Sequence, residues 1–428
     1  MFLIIVISLF LCASFFSPIH GLGAWLLLLV IHGIIVAVFG DGLIHLPLYA
    51  GLAVIVSTLL QRQWSSLRSH IVWPFGLLLV IMCVAALQGI NLGASLASMA
   101  LYLKSFLLSL FVAGCIKDEK NLKLMLLYLL TGLVMGALYA VYQSVTNTFS
   151  INELNSQRAA GLRGDPNDTA MLLVAGVPVA IYFFSTNKTV FAKALFVVSL
   201  AFLLFGIVLT KSRGGLVALM FVMFLIYIRR PNIKSTLFGL VMVVFVSLTA
   251  PASYWERVGT LVYGEKRGSV SMTGRTFLLN TGLKSFVDNP VLGVGPGNFG
   301  NISNFNPGLN SLFFGKDHAG VESGKKAVAH NMYLEFFVEN GVFGGLLFLI
   351  IFGKALLTSL SYDKGRVTGG GAGVGFIIVV AISGMLFSGL FLSQGKSSVL
   401  WFMVGLALAT GQIARTGAVV ARARAVNK

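Results

Sequence analysis

Apolar stretches of about 16–25 residues recur along almost the whole chain, and no other feature limits its fold so tightly. About 20 apolar residues in a helix cross the hydrocarbon core of a bilayer, where the backbone must satisfy its own hydrogen bonds. The stretches fall near 2–17, 24–39, 43–60, 72–90, 94–116, 122–145, 168–185, 190–209, 213–229, 235–250, 335–358, 372–392 and 398–413. The first three are short and crowded, so about twelve spans are expected. A soluble core is a poor alternative, because charged residues are only 11% of the chain where soluble domains carry about 25%. The expected fold is therefore all-α and polytopic. It is a single integral membrane domain over 1–428, with one large loop at 251–332 between spans. Met1 to Ser17 lack a basic n-region and read as a first membrane helix rather than a cleaved leader.

The formal charge of +17 does not point to nucleic acid, because the cations are spread over short inter-helix loops. Arg62 and Arg68, Lys117, Lys120 and Lys123, Lys188 and Lys193, and Arg229, Arg230 and Lys234 all fall on one side if the helices alternate. So do Lys354, Lys364 and Arg366, and Arg415, Arg422, Arg424 and Lys428 in the tail. That side is the expected cytoplasmic face. Cys12, Cys83 and Cys115 lie in apolar stretches without metal or disulfide spacing. The outer-face histidines, His318 and His330, form no zinc pattern, and no Walker loop or G-x-S-x-G is present. Neither a metal nor another cofactor is expected.

The outer face breaks the charge rule. Arg158 and Arg163 share one short loop, and Lys211 and Arg213 share a turn of a few residues. Arg275 and Lys284 lie in the large loop with Arg257, Lys266, Arg267, Lys316, Lys325 and Lys326. Long loops escape the rule, but the Lys211–Arg213 turn does not. Arginine donates paired, charge-assisted hydrogen bonds to phosphate. Arg163, Arg213 and Arg275 are thus candidates to converge on a diphosphate. The plainer reading is pairing with lipid headgroups or with Asp165, Asp168 and Asp288.

Four segments carry more detail. In 158–170, Gly164-Asp-Pro-Asn167 is turn chemistry, with Asn167, Asp168 or Thr169 available to cap the following helix. In 210–215, Gly214 and Gly215 after Arg213 permit close packing or ligand approach. In 274–288, apolar residues at 279, 283, 286 and 287 predict a short amphipathic helix in the interface, with Arg275 near its N-terminus. Gly295, Gly297 and Gly300 match G-x-G-x-x-G, but the loop between spans lacks a βαβ context, so a sharp turn is expected. In 329–345, His330 and Asn331 stand where the large loop re-enters the membrane, and His330 suits proton transfer or a plain polar anchor. Glu335 and Glu339, spaced i and i+4, are expected to face the bundle or a wet cavity. Gly341 and Gly345 suggest close helix contact.

Taken in order, these segments resemble the O-antigen ligase/polymerase family of bacterial glycan-transferring membrane proteins. The resemblance rests on Gly161-Leu-Arg-Gly-Asp-Pro-Asn167, Ser212-Arg-Gly-Gly215, Gly274-Arg275 leading to Asn289-Pro-Val-Leu-Gly-Val-Gly295, and His330-Asn331 followed by Gly341 and Gly344. It runs from about residue 120 onward and implies a GT-C-like helical fold in the bacterial inner membrane. It also implies an undecaprenyl-diphosphate-linked glycan donor, metal-free transfer at the periplasmic face, and lipid A–core lipopolysaccharide or another carrier-linked glycan as acceptor. On that reading His330, Arg275 and Arg213 are catalytic, and Arg163, Asn331, Glu335, Lys211 and Arg158 bind substrate. A ligase is favoured over an O-antigen or exopolysaccharide polymerase by the His-Asn-x9-Gly-x-x-Gly pattern. A lipid-linked sugar transporter is a rival of another class. It would place charges at the midplane in repeated helix units, and neither is evident.

Overall fold

In the computed structural model, the described residues are 14, 16–62, 69–148, 158–162, 164–229, 231, 233–250, 254–255, 259, 270–303, 328–364 and 373–426. Among them there is no strand. The first half holds α1 (Pro18–Phe39), α2 (Leu46–Leu60), α3 (Ser69–Leu87), α4 (Leu92–Cys115), α5 (Glu119–Thr146), α6 (Pro166–Thr186) and α7 (Val190–Leu209). The second half holds α8 (Arg213–Arg229), α9 (Ile233–Thr249), α10 (Val270–Asp288), α11 (Phe299–Ser303), α12 (Met332–Lys364), α13 (Val374–Ser388) and α14 (Ser398–Val426).

Every expected span from residue 24 onward carries a helix, while the stretch 2–17 lies largely outside the described residues. Among the described residues, seven helices are long and apolar enough to cross a membrane: α1, α4, α5, α6, α7, α12 and α14. Helices α2 and α13 and the apolar parts of α3 and α9 are shorter. The expected stretch 372–392 contracts to α13 because the chain turns at Gly389, whose carbonyl accepts the Met332 N–H at 2.8 Å.

Two helices organise the bundle. α6 packs against α5, α7, α8 and α13, and α14 packs against α4, α12 and α13. Their apolar windows are the most buried of the seven, at 78% and 72%. An all-round apolar helix is what such a position needs, since every face meets another helix. The core runs through both, from Met171 and Leu173 on α6 to Trp401 and Phe402 on α14. Trp401 sits among Phe75, Phe106, Phe348 and Phe352 at ring separations of 4.9–6.3 Å.

Part of the large loop lies among the described residues. α10 begins at Val270, so Arg275 lies in its second turn rather than at its N-terminus. Its protein-facing side is Leu278, Gly282 and Ser285, whereas Leu279, Leu283 and Val287 are exposed. The expected apolar face is thus the outward one; with apolar residues on both sides, periodicity alone does not choose the packed side. Gly282 allows the approach of Leu334 and Phe299, and Phe286 meets Phe337 edge-on at 6.0 Å.

The glycine turn after α10 wedges between α4 and α12. Gly293, Gly295 and Gly297 all have positive φ. A Cβ on Gly293 would lie 2.4 Å from the Val338 carbonyl oxygen, and one on Gly297 would lie 2.7 Å from that of Ala94. Helix α12 breaks there: Gly341 has φ 65° and ψ −172°. The freed backbone bonds to the turn, Val294 N–H donating to Val338 O at 2.9 Å and Val342 N–H to Pro290 O at 2.8 Å. Gly341 therefore serves contact with this turn, not the helix–helix contact its G-x-x-x-G spacing suggests.

Candidate functional site

The loop before α6 is buried. Ala159, Ala160 and Leu162 are inaccessible, so their polar backbone needs internal partners. Ala159 N–H donates to Leu209 O at 3.1 Å, Gly161 N–H to Gln143 Oε1 at 2.9 Å and Leu162 N–H to Thr169 Oγ1 at 3.1 Å. The Thr169 hydroxyl donates in turn to Ala160 O. The cap of α6 is Asp165, whose Oδ1 accepts from Asn167 N–H and Asp168 N–H, with Pro166 as first helical residue. The expected capping residues 167–169 are thereby released for other work.

Asn167 uses that freedom. Its Oδ1 accepts from Arg158 Nη2 at 2.9 Å and from Ser212 Oγ at 2.9 Å. Arg158 Nε donates to Thr210 O at 3.0 Å, and Ser212 Oγ accepts the Gly215 N–H at 3.1 Å. One amide thus ties the 158–162 loop to the α7–α8 turn, gathering Arg158, Lys211 and Arg213. Arg158 and Lys211 are buried, each 8% exposed, while Arg213 is half-buried at the start of α8. Arg158 is therefore engaged by the fold, its guanidinium held by Thr210 and Asn167.

Lys211 has φ 48° and His330 has φ 50°. Positive φ in a side-chain-bearing residue is uncommon and concentrates at functional or tightly constrained positions. His330 is half-buried at the mouth of α12. Asn331 caps that helix, its Oδ1 accepting from Tyr333 N–H and Leu334 N–H at 3.0 Å each.

The segment 389–397 joins the two groups. Gly389 bonds Met332, and Phe391 is the nearest neighbour of Gly214 beside Arg213. Phe387 stacks on Phe221 of α8 at 4.4 Å. The α7–α8 turn and the start of α12 therefore share one end of the bundle. Leu278, one turn after Arg275, clusters with Ala329, the neighbour of His330. Arg163 and the side chain of Arg275 lie outside the described residues.

Below this rim stand residues that the sequence did not single out as ligands. Glu339 is 2% exposed, and its Oε1 accepts the Phe299 N–H at 3.3 Å. It faces inward, as its spacing from Glu335 predicts. Glu335, the Gly297 N–H, Tyr102 on α4 and Lys396 are its other polar neighbours. Asn167 carried only a capping signal and Tyr102 none.

Residues 198–349 match the model of a family described as O-antigen ligase. Over that stretch the chain is similar to the O-antigen ligase family. The matched region holds Lys211, Arg213, Arg275, His330, Asn331 and Glu335, and stops short of Arg158 and Arg163. No curated protein matches the chain. The family is one of glycosyl-transfer enzymes of ligase or polymerase type, acting in a membrane on lipid-linked glycan and acceptor.

Proposed function

We propose that the protein is an O-antigen ligase of the bacterial inner membrane. It moves a glycan from undecaprenyl diphosphate to lipid A–core lipopolysaccharide at the periplasmic face, within a GT-C-like helical fold. The supporting observation is the shared end of the bundle, where the cationic α7–α8 turn and His330 flank segment 389–397. An acceptor hydroxyl oxygen attacks the anomeric carbon as the bond to the diphosphate oxygen breaks, inverting that centre. Arg213, Arg275 and Arg163 neutralise the charge that develops on the leaving diphosphate. Lys211 adds positive potential, and Arg158 braces the turn that carries it. His330 takes the acceptor proton, while Asn331 and Glu335 orient the acceptor. The protein's own cations meet the leaving-group charge, so no metal is assigned a role.

Arg275→Ala and His330→Ala in cells, followed by glycan profiling on gels, test this. Uncapped core with carrier-bound polymer is the ligase outcome. Full-length glycan at normal expression would remove the substituted residue from the mechanism. The same site would serve a polymerase joining carrier-linked repeats, and core capped by single repeats in a deletion strain would select that reading.

A further inference from the structure

Asn331, Glu335 and Glu339 recur at i, i+4 and i+8 on α12. They form a polar stripe running inward from the His330 gate over about 12 Å at 1.5 Å per residue. The stripe meets Tyr102 of α4, 2% exposed, which feels the charge of both glutamates. Lys396 closes the third side, with its ammonium 5.5 Å from the Tyr102 ring centroid and acting electrostatically on Glu339. Gly395 passes so near that a Cβ there would lie 2.8 Å from the Tyr102 hydroxyl. The glycine turn forms the roof, its Phe299 N–H holding Glu339 Oε1 and its Gly297 packing on Ser98.

Polar atoms in this notch are left unmet. Glu339 Oε2, Glu335 Oε2 and Ser98 Oγ are buried without a hydrogen-bond partner. Glu339 and Ser98 are more than nine-tenths buried. Leaving such atoms unmet is costly, most of all for charged groups, so proteins rarely keep them without a use. The ligand that suits them brings many hydroxyl donors. A phosphate does not fit, because two carboxylates repel it. A metal ion is disfavoured because Lys396 already supplies the cation.

We propose that Glu339, Glu335, Tyr102 and Lys396 form a binding site for the hydroxyl groups of a neutral sugar, next to the cationic end that takes the diphosphate. The inference rests on the transfer reading above and adds the sugar side of that site. Charge sorts the substrate: its anionic end goes to the α7–α8 turn, its hydroxyl-rich part to the notch, with segment 389–397 between. Glu335 and Lys396, both half-buried, form the entrance, and Tyr102 and Glu339 form the floor.

The test uses the full-length protein in nanodiscs and three probes: undecaprenyl diphosphate, the same lipid bearing one N-acetylglucosamine, and an alkyl glycoside without phosphate. Wild type is expected to bind the sugar-bearing lipid more tightly than the bare one. Glu339→Gln and Lys396→Met should cut sugar-dependent binding by about 10- to 100-fold, the size of a lost charge-assisted bond, while bare-lipid affinity stays unchanged. Loss on the sugar-bearing lipid identifies the donor sugar, and loss on the glycoside identifies the acceptor sugar. If Glu339→Gln fails to fold, Lys396→Met and Tyr102→Phe carry the measurement. Wild-type affinities for all three probes in these variants would overturn the sugar site alone. Failure of wild type to bind either diphosphate lipid would overturn the transfer reading itself.

Discussion

Asn167 bonds two cation-bearing segments through a single oxygen atom, so its removal is not a local event. Asn167→Ala leaves Arg158 Nη2 and Ser212 Oγ without that acceptor in a largely buried junction. The loss is expected to cost about 1–3 kcal/mol, read as a lower melting temperature in detergent, with glycan transfer falling alongside it. Asn167→Asp keeps the acceptor oxygen and should retain more of both, whereas an unchanged melting temperature in the alanine variant would exclude the bracing role. Ser393→Ala, by contrast, deletes a buried hydroxyl without a partner, and its stability should stay within about 0.5 kcal/mol of wild type, read as a nearly unchanged melting temperature. The residue types at this site were legible in the sequence because arginines in short outer-face loops violate a strong rule. Their partners were not, because Asn167 and Tyr102 break no rule until the chain folds. Glu339 lies between these cases: its spacing from Glu335 announced an inward face but not what it would meet there.

The glycine turn and the break in α12 form one unit, since each occupies space the other leaves free. A Cβ at Gly341 would lie 2.0 Å from the Val291 carbonyl oxygen on a backbone of φ 65°. Gly341→Ala is therefore expected to keep the protein from accumulating in membranes. Gly353→Ala, on the same helix with nothing within 4 Å of its Cβ, should be neutral or stabilise by about 0.5–1 kcal/mol. Equal membrane levels of the two variants, compared by immunoblot, would contradict the wedge. Hydropathy revealed the helices because burial in lipid demands it over whole stretches. It could not reveal the break, because breaking α12 depends on bonds from residues about fifty positions earlier, such as Val342 N–H to Pro290 O. The stripe of Leu279, Leu283 and Val287 was legible as a helical period, and it faces outward, as a helix lying in the interface requires.

At the scale of the whole molecule, the two ends of the bundle carry different chemistry. The end holding His330, the α7–α8 turn and segment 389–397 keeps positive charge in buried or half-buried places. The opposite end is knitted by polar contacts. Tyr362 Oη donates to Glu119 Oε2 at 2.8 Å, and Lys123 pairs with Glu119 at 2.7 Å. The Asp363 carboxylate accepts the Gly375 and Phe376 N–H groups at 3.1 and 2.8 Å. The positive-inside rule favours a cytoplasmic place for this second end, because Lys117, Lys120, Lys188 and Arg229 all belong to it. Single cysteines in a background without Cys12, Cys83 and Cys115 decide the orientation. Lys120→Cys and Lys188→Cys, both exposed positions, should react with a membrane-impermeant maleimide only after the inner membrane is opened. Val328→Cys, 43% exposed and two residues before His330, should react in intact spheroplasts. The reverse pattern would place the cationic turn and His330 in the cytoplasm, where a periplasmic ligase cannot work. It would also turn the excess of outer-face arginines into an ordinary consequence of the charge rule. The orientation thus carries the argument from the bundle back to Arg158, Lys211 and Arg213. They are exceptional only if they stand on the side where short loops avoid positive charge.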